Sequence, residues 1–376
     1  MDINIRPLSG KSDLMTFIKC EWNFYKDDKY WVPPLIMDRV KTLDTKKNPF
    51  FHHSVIQLFV AEKDSEIVGR IAAIINENHN KTHNDRVGFF GFFESIDDQE
   101  VANKLFDAAA RWVSDRGMDT LRGPLNPSMN DVPAMLYKGF DSIPQIMMPY
   151  NKKYHIKLYE NYGFEKAMDL LGYYLDQHKF LTDKLNRIQK IVRKRYDLSV
   201  RQVNLKDKEQ FRKDIETMKY IYNNAWEPNW GFVKWTDEEF DYLANDMKQM
   251  ANPKLAIIVE SKGKPAGFAF AMPNLNQIMH YNRSGRLIPF LWHYFTKKKK
   301  MNWLRIIALG IMPEFQNKGI DSVLYYEIGT RGISEGLVHG DASWLVETNT
   351  RITRPMTQSL NAELYKVFRI WEKKID

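Results

Sequence analysis

The order of predicted elements repeats along the chain, and this repeat restricts the fold more than any other sequence feature. In each half, a β-hairpin whose second strand contains a glycine (Gly69 or Gly267) leads to a further apolar strand. An amphipathic helix follows and ends at a glycine, which is Gly117 in the first half and Gly336 in the second. A strand and an asparagine-containing loop come next. The pattern predicts a duplicated mixed α/β domain rather than a short-period solenoid.

The length and composition agree with two domains. The chain has 376 residues, more than one average domain, and 44% of them are apolar, which excludes a largely disordered protein. The basic stretch 182–195 lies between the two halves and predicts a connecting helix. We therefore expect a first domain at 1–180, a connecting helix or linker at 181–197 and a second domain at 198–376.

The sequence shows no features of an exported or membrane-spanning protein. Cys20 is the only cysteine, so no intramolecular disulfide can form, and its helical apolar neighbours favour a buried thiol over a nucleophile. The amino-terminal residues lack the apolar stretch of a signal peptide, and no apolar run is long enough to span a bilayer. These features predict a cytoplasmic protein.

One segment of the second half has the composition of a phosphate-binding loop. Residues 309–321 (LGIMPEFQNKGID) lie between a predicted strand and a predicted helix. The first backbone N–H groups of a helix have no partner within the helix, and together with the helix dipole they bind phosphate. Gly319 would let the backbone approach a diphosphate closely. The alternative interpretation is a plain strand–turn–helix in which Asp321 caps the helix.

This segment resembles the loop of the GNAT family of acyl-CoA-dependent N-acyltransferases. The family pattern after its fourth strand is L-x-V-x-P-x-x-[Q/R]-x-x-G-x-[G/A]. The matching residues are Leu309, Ile311, Pro313, Gln316 and Gly319. The last position holds Asp321, where the family prefers glycine or alanine. The resemblance extends over nearly the whole chain, to a bacterial group of tandem GNAT proteins. It implies two tandem GNAT-like domains, each a mostly antiparallel central sheet flanked by helices.

The resemblance also implies that acetyl-CoA or another acyl-CoA is the co-substrate and that no metal takes part. In the family, the fourth and fifth strands part at a bulge and the thioester arm lies in the gap. A backbone N–H at Ile311 or Met312 would then stabilise the oxyanion. The residues implied to bind acyl-CoA are Leu309, Ile311, Met312, Gln316, Asn317, Lys318, Gly319, Ile320, Asp321, Ser322 and Asn349.

Acyl transfer to an amine also needs groups that move protons. The amine must lose a proton and the departing thiolate must gain one. Glu347, at the end of the predicted fifth strand, and Glu314, just past the fourth, are the candidate bases. Where the family has its acidic tyrosine, the second half has Thr357. Tyr365 is the candidate replacement, with Tyr325 and Tyr326 as alternatives.

The first half keeps a different part of the family pattern. It retains Tyr159 in its sequence context, but four acids follow its apolar strand where the phosphate loop would lie, and they would repel a phosphate. We expect a degenerate copy in which Tyr159 is structural and which shapes the acceptor site. Turn chemistry alone is the alternative explanation of its polar loop. The candidate substrate-binding residues are Asn126, Ser128, Asn130, Asp131 and Tyr150.

The second half contains an insertion with an unusual pattern. Residues 286–303 combine aromatic and aliphatic side chains with the run Lys297–Lys300. This combination is typical of peripheral contact with a membrane surface, here the inner membrane face. The alternative is a helix packed on the sheet with solvated lysines. A nucleic-acid partner is not expected, because no recognised nucleic-acid motif accompanies the lysines.

The sequence therefore predicts an N-acyltransferase that moves an acyl group, most simply acetyl, from its CoA thioester directly to a primary amine. Two alternatives stay open. The first is a long-chain N-acyltransferase that acts on a lipid-like amine at the membrane surface. The second is a non-catalytic acyl-CoA-binding or scaffolding protein. The amine, the acyl-chain length and the oligomeric state do not follow from the sequence.

Overall fold

The chain alternates strands and helices, and the computed structural model describes residues 2–226 and 229–375. The elements of the first half are β1 (Asn4–Leu8), α1 (Gly10–Lys19), α2 (Glu21–Phe24), α3 (Ile36–Thr42), β2 (Ser54–Lys63), β3 (Glu66–Asn76), α4 (Glu77–His83), β4 (Val87–Ser95), α5 (Gln99–Ser114), β5 (Thr120–Gly123), β6 (Leu125–Asn126), β7 (Val132–Pro133), β8 (Met135–Lys138), α6 (His155–Tyr162) and β9 (Glu165–Asp176).

The second half repeats this order of elements, as its sequence predicts. Its elements are α7 (Gln177–Phe180), α8 (Asp183–Tyr196), β10 (Leu198–Gln202), α9 (Lys208–Ala225), α10 (Asp237–Lys248), β11 (Ala256–Ser261), β12 (Lys264–Pro273), α11 (Asn276–Met279), α12 (Leu287–Lys297), β13 (Trp303–Ile311), α13 (Ile320–Ser334), β14 (His339–Val346), α14 (Thr350–Gln358) and β15 (Glu363–Lys374). In both halves a hairpin, an apolar strand and a helix follow one another.

One packed unit, which we call unit 1, comprises the described residues up to Leu170, Asn276–Thr296 and those from Lys366 onward. Its strands lie in the order β1-β2-β3-β4-β5-β15. Neighbouring strands are antiparallel except β4 and β5, which are parallel. Helix α5 buries one face in the core of this unit, with Leu105 and Phe106 fully buried. Asp98 caps the helix by accepting the Glu100 N–H.

The second packed unit, unit 2, comprises Leu171–Leu275 and Lys297–Tyr365. Its strands β10 to β14 follow one another in chain order, and again one pair, β13 and β14, is parallel while the others are antiparallel. Helix α13 buries Ile320, Val323 and Leu324 in the core. Each unit is thus a mostly antiparallel sheet flanked by helices, and the expected fold class is confirmed.

Both units draw on both halves of the sequence. Asn276–Thr296 and the end of β15 belong to unit 1, although they lie within the predicted second domain. Helix α8, predicted as a connection over 181–197, belongs to unit 2 and packs on α13. The boundaries 1–180, 181–197 and 198–376 describe the duplicated repeats and stay a prediction for them, whereas the packed units divide the chain differently.

Two kinds of feature do not occur in the described part of the chain. Within residues 2–226 and 229–375, no helix has the length and apolar character needed to cross a membrane. In the same residues, no three His, Cys, Asp or Glu side chains come together as a metal ion would require.

Candidate active site

Strands β13 and β14 of unit 2 part from each other along their length. Among the described residues they pair in parallel only over Trp303–Ile306 and His339–Ala342, although both strands continue further. The register between β12 and β13 shifts at Ile307, directly after the last paired residue. Such a bulge bends the strand and increases its twist. The two strands therefore border a gap over the second part of β13.

The backbone of β13 beyond the bulge presents polar groups to this gap. Met312 donates its N–H to the Ala266 carbonyl oxygen of β12 at 3.0 Å. Because successive strand residues direct their backbone groups to opposite sides, the N–H groups of Leu309 and Ile311 point away from β12, toward the gap. The Met312 N–H, one of the two predicted oxyanion donors, is thus already hydrogen-bonded within the sheet. The Ile311 N–H is the one that faces the gap. The Gln316 side chain donates to the Ile311 carbonyl oxygen at 3.2 Å and holds the start of the following loop.

A glycine in the left-handed region ends this loop. Gly319 has a φ of 79° and occupies the N-cap position of α13, directly before Ile320. A Cβ at this position would lie 3.1 Å from Val192 of α8, so both backbone conformation and space favour glycine. Ser322 donates its hydroxyl to the Gly319 carbonyl oxygen at 2.6 Å. The loop therefore leads into the first N–H groups of a long helix, an arrangement that binds phosphate.

Asp321 does not cap α13, so the alternative interpretation of this residue was wrong. The N-cap position belongs to Gly319, and Asp321 lies within the first turn of the helix. Burial raises the pKa of the Asp321 carboxyl group.

The loop carries a cationic side chain. The exposed Lys318 has its ammonium 5.4 Å from the ring centre of Phe315 and 5.7 Å from that of Tyr196. Tyr196 is the last residue of α8, the helix that also approaches Gly319. The positive charge of Lys318 favours the phosphate groups of CoA.

The two predicted bases differ in their surroundings. Glu347 is half-buried and directly follows β14, one of the strands that border the gap. Glu314 is exposed, in the short turn after β13. Asn349 directly precedes α14 and donates its side-chain amide to the Asn229 side-chain oxygen at 2.9 Å. Of the two glutamates, Glu347 is the one attached to a strand that borders the gap.

Tyr365 is held by a buried carboxylate. It donates its hydroxyl to Asp341 at 2.6 Å, and Ser343 donates to the same carboxylate oxygen at 2.6 Å. The buried guanidinium of Arg305 lies 3.7 Å from the other oxygen. Arg305 and Asp341 face each other in the paired part of β13 and β14, close to where the gap begins. Sequence reasoning missed both residues, although a single charge inside an apolar strand indicates a buried partner.

The two tyrosines of α13 have surroundings that differ from those of Tyr365. Tyr325 is buried, and burial raises the pKa of its hydroxyl well above the ordinary value. Tyr326 is half-buried against the core of unit 2. Among the three tyrosines considered as acids, Tyr365 is therefore the one whose hydroxyl is oriented by a charged group close to the parting strands.

An aromatic surface covers one face of β13 beyond the bulge. A Cβ on Gly310 would lie 2.4 Å from the Trp226 ring, so this close approach requires glycine. Trp226 stacks on Tyr222 with ring centres 4.3 Å apart and lies 6.0 Å from the ring of Phe268. Rings in this position offer apolar contact area beside the gap.

Known proteins share this architecture and sequence. No family model matches the chain. The chain is 31% identical over 379 residues to the protein YghO of Escherichia coli, which covers 99% of this chain and 95% of YghO. It is also 31% identical over 388 residues to the bacterial ceramide synthase of Caulobacter vibrioides, which covers 100% of this chain and 98% of that protein. Among solved structures, a tandem GNAT protein from the clavulanic acid biosynthesis pathway superposes with a TM-score of 0.58 at 10% identity, over 99% of this chain and 98% of that one.

The chain belongs to the family of YghO and the bacterial ceramide synthase, and it has the tandem GNAT fold. A probable N-acyltransferase from Enterococcus faecalis has the same fold, with a TM-score of 0.54 at 11% identity over 100% of this chain and 73% of that one. The fold implied by the resemblance of the loop 309–321 is thereby confirmed. The roles of the individual residues stay predictions.

Strands β4 and β5 of unit 1 also part from each other, but side chains and backbone of unit 1 fill the space between them. Within the described chain, β4 and β5 pair over only three residues of each strand. Beyond them, Asn126 accepts the Phe92 N–H at 2.5 Å. A Cβ on Gly91 would lie 1.8 Å from the Leu125 carbonyl oxygen. Residues after β5 thus fill the space beside β4 in which an acyl-CoA arm would lie. This agrees with the expectation of a degenerate copy of the domain.

The predicted substrate-binding residues of unit 1 belong to two hydrogen-bonded groups. In the polar loop after β6, Ser128 donates its hydroxyl to Asp131 at 2.5 Å and accepts the Asn130 N–H at 3.2 Å. Tyr150 instead donates its hydroxyl to Asp28 at 2.9 Å. These side chains, like Asn126, all contribute to the local structure of unit 1. Whether they also contact an acceptor stays a prediction.

Unit 1 also buries a group of charges. Arg70 donates to Glu21 at 2.7 Å, and Tyr25 donates to Glu94 at 2.8 Å, with all four side chains buried. Burial raises the pKa of the Glu94 carboxyl to about 8. Burial likewise raises the pKa of the neighbouring Cys20 thiol to about 11, which agrees with a core thiol rather than a nucleophile.

Proposed function

We propose that this GNAT protein transfers an acyl group from acyl-CoA to the primary amine of a long-chain, lipid-like acceptor. The observation that carries the proposal is the gap between β13 and β14, because β13 leads from it directly into the glycine-closed loop before α13. The thioester arm would lie along the backbone of Leu309 and Ile311. The diphosphate would lie at the N–H groups that follow Gly319, on the loop that carries Lys318.

The reaction exchanges one bond to the acyl carbon for another. The neutral amine nitrogen bonds to the thioester carbonyl carbon, and the carbon–sulfur bond then breaks to release the CoA thiolate. We assign the Ile311 N–H to stabilisation of the oxyanion that forms in between. Glu347 takes the proton lost by the amine, directly or through water, and Tyr365 is the candidate donor to the thiolate. The products are an amide and CoA thiol.

One observation favours a lipid-like acceptor over a small polar amine, and a second favours a long acyl chain over acetyl. The Caulobacter relative, 31% identical over the full length of this chain, is named a ceramide synthase, and a ceramide is the amide of a fatty acid with a long-chain amino alcohol. The aromatic surface formed by Trp226 and Tyr222 beside β13 also suits a long acyl chain better than an acetyl group. Acetyl transfer is the alternative reaction of the same site.

The test is turnover by the purified full-length chain on a matrix of thioesters and amines. Acetyl-CoA and palmitoyl-CoA are each combined with a long-chain amino alcohol, a polyamine and a lysine-containing peptide, and products are identified by mass. We expect an amide from palmitoyl-CoA and the amino alcohol, with one CoA released for each amide. If an amide formed only from acetyl-CoA and a polar amine, the proposal of a lipid-like acceptor would be wrong and acetyl transfer would be the reaction. CoA binding without any amide would support the non-catalytic alternative.

A further inference from the structure

Helix α12 presents an apolar face to solvent. Ile288, Trp292 and Phe295 are 81%, 60% and 68% exposed, and Leu291 is exposed beside them. Their spacing of three and four residues aligns them along one side of the helix. Phe290, on the opposite side, is only 7% exposed. The helix is therefore anchored by one side, and we call the four exposed residues on the other side the apolar stripe.

The segment before α12 is held firmly within unit 1. Trp22 donates its indole N–H to the Arg283 carbonyl oxygen at 2.8 Å, and the Arg283 guanidinium donates to the Trp31 carbonyl oxygen at 3.1 Å. Gly285 has a φ of 63°, and a Cβ there would lie 2.4 Å from the Trp22 ring. The apolar stripe is thus a fixed feature of a packed unit rather than one side of a loose tail.

Cationic side chains flank the apolar stripe. Arg286 precedes α12, and the lysine run Lys297–Lys300 follows its last aromatic residue, with the last three lysines exposed. Between Ser261 and Pro313 the sequence contains no aspartate or glutamate. Proteins bind membrane surfaces with this combination, because apolar side chains enter the interface while lysines lie against anionic headgroups. The charge of the segment therefore matches an anionic lipid surface.

We infer that α12 and the lysine run dock this protein on an anionic phospholipid surface, with the apolar stripe at the level of the headgroups. The inference deepens the proposed function and rests on it for its biological purpose, because a long-chain amine and its amide product both reside in membranes. The docking itself involves no acyl-CoA and can be measured without turnover.

The test is co-sedimentation of the purified full-length chain with phosphatidylcholine vesicles that contain or lack about 30 mol% phosphatidylglycerol. We expect binding to the anionic vesicles, and a loss of binding in high salt because the attraction is screened. The double variant Trp292→Glu/Phe295→Glu should bind about tenfold more weakly or worse. Met37→Glu, which changes a 50% exposed apolar residue of α3, is the matched control and should bind like the wild type. Thermal melting verifies that both variants are folded.

Two results would overturn the inference. The first is a wild-type chain that does not sediment with anionic vesicles. The second is a double variant that binds them as well as the wild type does. If that variant instead turns a dimer into a monomer while vesicle binding is unchanged, the stripe contacts a second copy of the chain, and the docking inference also fails.

Turnover separates this inference from the proposed function. The long-chain amino alcohol is supplied either dispersed in detergent or embedded in anionic vesicles. The proposed function predicts turnover in detergent by both the wild type and the double variant. Docking predicts that the double variant loses turnover only when the amino alcohol is embedded in vesicles. A wild type without turnover in detergent would refute the proposed function, while salt-sensitive vesicle binding through α12 would still support docking.

Discussion

Asn126 accepts the Phe92 backbone N–H at 2.5 Å and thereby fills, in unit 1, the kind of space that unit 2 leaves open between its parted strands. In unit 2 the backbone of Leu309 and Ile311 faces that space. The two copies share one architecture. They differ in whether protein residues fill the space between the parted strands. This difference favours unit 2 as the acyl-CoA site and makes unit 1 its expected degenerate partner.

Replacing Asn126 by alanine should destabilise the protein without affecting CoA binding. The variant leaves the buried Phe92 N–H without its acceptor, which lowers the free energy of unfolding by about 1–3 kcal/mol. Urea denaturation measures this change, and calorimetric titration with CoA measures the affinity. Asn161→Ala, at an exposed position of α6, is the control and should change stability by less than about 0.5 kcal/mol. A large loss of CoA affinity in Asn126→Ala would contradict the assignment of the site to unit 2.

Gly319→Ala and Gly336→Ala form a matched pair around α13. The two glycines have φ values of 79° and 80°, so each substitution should lower the free energy of unfolding by about 1 kcal/mol. Only the first adds a Cβ near another side chain, that of Val192. We expect Gly319→Ala to weaken CoA binding about tenfold, or about 1.4 kcal/mol, and Gly336→Ala to leave it unchanged. If the two variants bound CoA with equal affinity, the loop would not be part of the acyl-CoA site.

Tyr365→Phe tests the candidate acid. If the hydroxyl protonates the departing thiolate, kcat should fall about 100-fold while KM for acyl-CoA changes little. Tyr174→Phe is the control, because Tyr174 belongs to the same ring cluster and its hydroxyl bonds His339 at 2.8 Å. Steady-state kinetics on both variants give the comparison. An unaltered kcat in Tyr365→Phe would exclude this residue from the proton transfer.

Stability should fall as pH rises through neutrality, because of Glu94. Burial raises the pKa of this carboxyl to about 8 in the folded chain, above its unfolded value of about 4.3. As the pH rises, the unfolded chain therefore releases this proton before the folded chain does. The stabilising contribution of protonated Glu94 to the free energy of unfolding is fully present below the unfolded pKa and is lost as the pH rises toward the folded pKa. Glu94→Gln should reduce this slope between about pH 5 and about pH 8 in urea denaturation. The exposed Glu100→Gln should keep it, and a slope shared by both variants would assign the effect to other groups.

The parts of the fold that depend on neighbouring residues could be predicted from the sequence. Helix α6 ends at Tyr162 because Gly163 adopts a φ of 88°, as the glycine in an amphipathic pattern predicts. The strand–loop–helix around Gly319 was predicted in the same way. Other segments form without a strong local pattern: 77–83 forms α4 with Asn76 as its cap, and α14 forms despite an internal Pro355.

The parts that depend on distant residues could not be predicted. Arg305 and Asp341 meet because two parallel strands pair in one particular register, and no local pattern specifies that register. Asn126 likewise reaches Phe92 across many intervening residues. The candidate site therefore divides in two. Its loop follows from local sequence, whereas the network that orients Tyr365 and the filling of the gap in unit 1 follow from tertiary structure.

The position of β15 has a consequence for how the chain is made. Trp371–Lys374 pair with Gly123–Thr120 of β5, so unit 1 receives one of its strands from the carboxyl-terminal part of the sequence. A ribosome releases β1 to β5 long before it synthesises β15, and in that interval β5 has an unpaired edge that can associate with other nascent chains. A truncated fragment ending before Lys366 would keep that edge permanently. The pairing of β5 with β15 therefore has to wait until the chain has been synthesised through Lys374.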